Sequence, residues 1–123
     1  MSRAIDLNAD LGEFDEPAAL ARDRAIIQQI SSANIACGGH AGNDRTMAEM
    51  LDACKAAGVA AGAHPSYPDR ENFGRTSITM TNDALTATLT EQILALKRHA
   101  DARGIALSHV KPHGQLYNDA ADD

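Results

Sequence analysis

Val59-Ala60-Ala61-Gly62-Ala63-His64-Pro65 is the stretch on which the fold turns. Val59–Ala63 is apolar and too short for an amphipathic helix, so it reads as a buried β-strand, with a histidine immediately after it. Gly58, just before it, supplies the left-handed residue on which a helix stops. That helix is marked by Met47, Met50, Leu51 and Cys54 at i, i+3, i+4 and i+7, with Asn43 or Asp44 as its cap.

Outward from this unit the same rhythm repeats. Upstream, Ala33–Cys37 reads as a second buried strand and Ala4–Asn8 as the first. Between them a helix opens near Pro17, where a missing N–H costs nothing, and Leu20, Ile26, Ile27 and Ile30 form its apolar side. Downstream, Pro65–Met80 is a long irregular stretch, and loops of that length in compact domains are usually functional or mobile. Thr81 or Asn82 starts a long helix with Leu85, Leu89, Ile93 and Leu96 on one face. Gly104 ends it, and Ile105–Val110 reads as a fourth strand. Strands alternating with helices imply an α/β fold with parallel pairing and right-handed crossovers.

Composition removes several classes of function. The 123 residues suit a single domain, 1–123. Eleven Lys and Arg against seventeen Asp and Glu leave a charge of −6, the wrong sign for the basic footprint that nucleic acid requires. No apolar run is long enough to cross a bilayer, so a cytoplasmic protein without membrane partners is expected. Only two cysteines are present, Cys37 and Cys54, which read as reduced, buried hydrophobes.

The chemistry-bearing residues fall at the ends of strands. Asn8, Asp10 and Glu13 follow the first, Asn34 and His40 belong to the second and its turn, His64 follows the third, and Lys111 and His113 follow the fourth. Sites in α/β folds collect at the carboxyl ends of strands, so these groups define one active rim. Asp10 is suited to bind a hard cation or act as a base, Glu13 to assist it, or both simply to cap backbone amides. Gly38-Gly39-His40-Ala41-Gly42 allows close approach of backbone to a ligand, or is only a tight turn; it lacks the Walker spacing. Lys111 suits an oxyanion and His113 proton transfer, with Tyr117 and Asn118 close behind in the same cluster. Arg75 suits a substrate carboxylate, or is only a surface Arg on a mobile loop, while His99 reads as solvated.

Four segments together resemble the LamB/YcsF family, the 5-oxoprolinase A subunits: Asp6–Glu13, Ser32–Gly42, Gly62–Asp69 and Val110–Gly114. Phe73-Gly74-Arg75 and Leu116-Tyr117-Asn118 extend the likeness over nearly the whole chain. The resemblance implies a partial (β/α) barrel of the glycoside hydrolase/deacetylase type. It also implies ATP-dependent opening of the 5-oxoproline lactam to L-glutamate, with Mg2+-bound ATP and partner subunits B and C. On this reading Asp10, His64, Lys111 and His113 are catalytic. Asn8, Glu13, Asn34, His40, Arg75, Tyr117 and Asn118 bind substrate, and any divalent metal sits on Asp10, His64 and His113, as in related deacetylase barrels. The other readings are a metal-dependent deacetylase using the same rim and a non-catalytic assembly module. A full barrel needs ~250 residues, so this chain is expected to carry the N-terminal half and to self-associate or pair with another chain, having little activity alone.

Overall fold

The computed structural model describes residues 5–122. Strands β1 (Asn8–Leu11), β2 (Ser32–Ala36) and β3 (Ala60–His64) alternate with helices α1 (Pro17–Ile27), α2 (Asp44–Ala57) and α3 (Asn82–Ala102), and a short helix α4 (Gly114–Asp122) closes the order. The strands form one parallel sheet in the order β1-β2-β3. Rows across it run Asp10–Asn34–Gly62 and Leu11–Ile35–Ala63.

The helix signals behave as the sequence suggests. Asn43 caps α2 through a reciprocal capping box with Thr46, and Gly58 ends it at φ 70°. Thr81 caps α3 by accepting from the Ala84 amide. Pro17 sits in the first turn of α1. Helix α4 has no counterpart in the sequence reading, whose last element is the strand ending at Val110; Gly114 starts it at φ 59°.

Two strands differ from expectation. The sequence places the first at Ala4–Asn8, of which Ala4 lies outside the described residues, yet the ladder begins where that stretch ends. The Leu7 carbonyl accepts from the Ser31 and Ser32 amides, and pairing then runs to Leu11, which is buried beside Ile35. Gly12 stops the strand at φ 72°. Asn8 and Asp10 therefore lie on the strand rather than after it.

The expected fourth strand, Ile105–Val110, reduces to a single bridge, Val110 to Ala63. The Ala61 carbonyl accepts from Ser108 and the Ala63 carbonyl from Lys111, so three steps on this segment match two on β3. That extra residue is a β-bulge, and it breaks the ladder. Among the described residues the sheet is thus open, and no barrel closes.

Alternation along the strands separates two faces. Leu11, Ala33, Ile35, Cys37, Ala61 and Ala63 pack against Leu20 and Ile27 of α1, Met47, Met50, Leu51 and Cys54 of α2, and Leu96 and Ala100 of α3. Each large side chain here contributes about 1.5–3 kcal/mol by leaving water. The opposite face carries Asn8, Asp10, Ser32, Asn34, Gly62 and His64. No helix among the described residues is long and apolar enough to cross a membrane.

Candidate active site and metal centre

The polar face is wired by hydrogen bonds. Asn34 is fully buried: its Nδ2 donates to Asp10 Oδ1 at 2.9 Å and to Asn8, and its Oδ1 accepts from Asn8 at 3.2 Å. Lys111 Nζ donates to Asp10 Oδ1 at 3.1 Å. Asp10 Oδ2 lies 3.5 Å from His64 Nε2. The His64 ring when it carries a proton on Nε2, with the hydrogen bonds from Asn34 and Lys111, holds the Asp10 carboxyl well below the usual carboxylate range against the opposing effect of burial, so it is ionised at neutral pH.

Three histidines converge beside it. His64 Nδ1 donates to the Lys111 carbonyl at 2.6 Å, and His113 Nε2 donates to the Phe73 carbonyl at 2.8 Å. A carbonyl only accepts, so both tautomers are set by the backbone. The remaining nitrogens, His64 Nε2 and His113 Nδ1, then face each other at 3.1 Å. In neutral rings these are two lone pairs in repulsive contact, which a shared proton or a cation relieves. His40 stacks on His113 with centroids 3.6 Å apart and reaches Glu13 Oε2 at 2.7 Å, while its buried Nδ1 has no partner among the described residues. Burial pushes the His40 pKa down against the pull of Glu13. Burial, reinforced by His40, does the same to His113. Neutral imidazoles with free lone pairs are what a metal takes. One donor atom each from Glu13, His40, His64 and His113 lies within 4.8 Å of the others. The trio expected from the sequence, Asp10, His64 and His113, therefore borders a cluster that Glu13 and His40 enlarge. The donor set fits a borderline divalent ion.

The long loop after β3 covers this cluster. Phe73 holds a left-handed backbone, φ 55°, uncommon for a bulky side chain. Its carbonyl anchors His113, and its ring meets His40 and His113 edge-on at 4.9 and 5.2 Å. Gly74 follows at φ 69°, where a Cβ would stand 2.9 Å from His40 Cβ; only glycine lets the loop lie this close.

An open cleft of about 460 Å³ leads to the cluster, lined by Asp10, His64, Lys111, Pro112, His113, Gly114, Tyr117 and Asn118. All four residues read as catalytic thus meet at one cleft, with Tyr117 and Asn118 at its wall. Asn8 and Asn34 lie in the hydrogen-bonded floor, and Glu13 and His40 behind the histidines. Arg75 does not line the cleft; its guanidinium lies over the Phe73 ring at 5.0 Å. His99 bonds Asp44 at 3.0 Å on the far surface.

Sequence reasoning missed three supports. Buried Asp23 on α1 accepts from the Gly12 amide at 3.0 Å. Buried Gln92 on α3 clasps both backbone groups of Ser66 at 3.0 and 2.9 Å. His109 Nε2 lies 2.7 Å from Asn34 Oδ1. A polar residue in the apolar stripe of a helix signals the first two only weakly.

Fold and site define an α/β protein whose parallel strands deliver histidines, carboxylates and a lysine to one strand-end cleft. The LamB/YcsF family profile matches residues 5–123, and the chain belongs to that family. It is 49% identical over 123 residues to the 5-oxoprolinase A subunit of Methylococcus capsulatus, covering 100% of this chain and 47% of that protein. The crystal structure of the lactam utilization protein from Thermus thermophilus superposes with a TM-score of 0.89 at 44% identity, over 96% of this chain and 48% of that one. The chain spans about half the length of the relatives it matches.

Proposed function

We propose that this chain carries part of a hydrolase site that opens the lactam of 5-oxoproline to L-glutamate, in an ATP-dependent assembly with subunits B and C. The observation that carries the reading is the meeting of Asp10, His64, Lys111 and His113 at one cleft, in a chain half identical to a 5-oxoprolinase A subunit. An unactivated lactam is a poor electrophile; transfer of the γ-phosphoryl group of Mg2+-bound ATP to the lactam oxygen, releasing ADP, would make its carbonyl carbon reactive, and inorganic phosphate would leave as water supplies the second oxygen of the new carboxylate. Asp10, ionised and beside His64, orients the attacking water, and Asp10 or a histidine of the cluster accepts its proton. Lys111 faces the oxygen on which charge develops, and His113 stands where the ring nitrogen takes a proton as the C–N bond breaks. Tyr117 and Asn118 contact the substrate from the wall. A divalent cation held by His64 and His113, with Asp10 or Glu13, would polarise the carbonyl as a Lewis acid, His113 then serving as a ligand instead of a proton donor. Replacing Asp10, His64 or Lys111 by Ala in the assembled enzyme is expected to abolish glutamate release; activity retained in all three variants refutes the assignment.

The facing lone pairs of His64 and His113 favour a second reading, a metal-dependent amide hydrolase such as a deacetylase working without ATP. Tightly bound zinc together with ATP-independent hydrolysis selects it. In either case the open polar face calls for a second copy or another chain, and sedimentation showing a cooperative free monomer speaks against that pairing.

A further inference from the structure

We infer that His109 is a positioning residue for Asp10, acting through Asn34, an inference that rests on the cation-assisted form of the reading above. Its ring occupies a recess made by the missing side chain of Gly62: a Cβ there would stand 2.3 Å from His109 Cδ2 and Nε2. The bulge between Ser108 and Lys111 brings the ring over that recess, next to the Asp10–Asn34–Gly62 row. His109 Nδ1 meets the Ser108 hydroxyl at 2.7 Å, and Nε2–H donates to Asn34 Oδ1 at 2.7 Å.

The consequence follows from the asymmetry of an amide. Asn34 can rotate by half a turn, exchanging its oxygen for its NH2. Only one orientation gives Asp10 a donor, through the 2.9 Å bond from Nδ2. An N–H aimed at Oδ1 from the other side selects that orientation, and the pair with Asn8 saturates what remains. Asp10 is then held with Oδ1 on Asn34 and Lys111, leaving Oδ2 turned toward His64. His109 touches neither cleft nor cation donors, yet it sets which carboxylate oxygen faces them.

His109→Phe fills the Gly62 recess without a donor, and His109→Gln restores an N–H near the Nε2 position without the ring. In the full chain, zinc affinity measured by competition with a chromophoric chelator is expected to fall about tenfold in H109F and to stay close to wild type in H109Q. Zinc binding by H109F equal to wild type, or an equal loss in both variants, overturns the inference. Absence of zinc binding by the wild type defeats the cation reading instead. The inference is then decided on the metal-free chain by solvent exchange of the Asn34 side-chain NH2 protons: slow in wild type and H109Q but fast in H109F supports it, and equal exchange in all three overturns it.

Discussion

Gly62→Ala isolates the packing of the polar face from any question of catalysis. Gly62 lies within β3, flanked by Asn34 on β2 and by the bulged segment, and its backbone is not in the left-handed region. Alanine therefore meets no left-handed backbone conflict, and the nearest atoms it meets all belong to the His109 ring, 2.3 Å from where the new Cβ would stand. If the ring stays, overpacking costs roughly 1–3 kcal/mol. If it swings out, it forfeits the bond to Asn34, about 1 kcal/mol, with its packing. Stiffening the unfolded chain returns roughly 0.4–1 kcal/mol. The net expectation is a loss of about 1–2 kcal/mol, a sizeable part of the ~5–15 kcal/mol that holds a domain folded. Urea unfolding followed by circular dichroism reads it, and the same substitution in a His109→Ala background supplies the control. There the recess is empty, so G62A is expected to be neutral or slightly stabilising. An equal cost in both backgrounds refutes the reasoning.

Three further outcomes are expected. Asp23→Ala strands the buried Gly12 amide that ends β1 and should cost roughly 1–3 kcal/mol in the same assay; a change within error shows that water takes over that amide. Asn43→Ala removes the capping box of α2 at about 1 kcal/mol, read as a lower unfolding midpoint with unchanged m-value. Burial pushes the thiols of Cys37 and Cys54 up to about 12 and about 11, so at pH 8 almost no thiolate exists. Both should resist a disulfide reagent in the folded chain and react at once in urea; rapid native labelling contradicts their burial.

Helices α1, α2 and α3 are legible in the sequence because their signals are local: Asn43, Gly58, Pro17 and Thr81 act within a turn of their own positions. The parallel sheet and the strand-end cleft are legible from the spacing of Asp10, His64 and Lys111. Three features are not, and the first two depend on atoms distant in sequence. The start of β1 is set by where Leu7 meets Ser31 and Ser32. The loss of the fourth strand depends on a one-residue mismatch against β3, which no propensity in Ile105–Val110 reveals. Arg75 reads as a carboxylate clamp by residue type, yet the left-handed turn at Phe73 and Gly74 places it over an aromatic ring instead.

Packing and chemistry here share one constraint, the register of three short strands. Leu11, Ile35 and Ala63 meet in a row because each buries its side chain against the helices. Period-two alternation then forces their neighbours Asp10, Asn34 and Gly62 into a row on the opposite face. The third member of that row has no side chain, so the space above it admits a ring from the next segment, and the bulge supplies the extra residue needed to bring His109 there. A slip of one residue would bury Asp10 among the helices and expose Leu11, at a cost the apolar core does not permit. The stability of the hydrophobic layer thus specifies which carboxylate, amide and imidazole become neighbours. The loop at Phe73 adds the component that the strands cannot provide, a carbonyl that turns His113 toward His64.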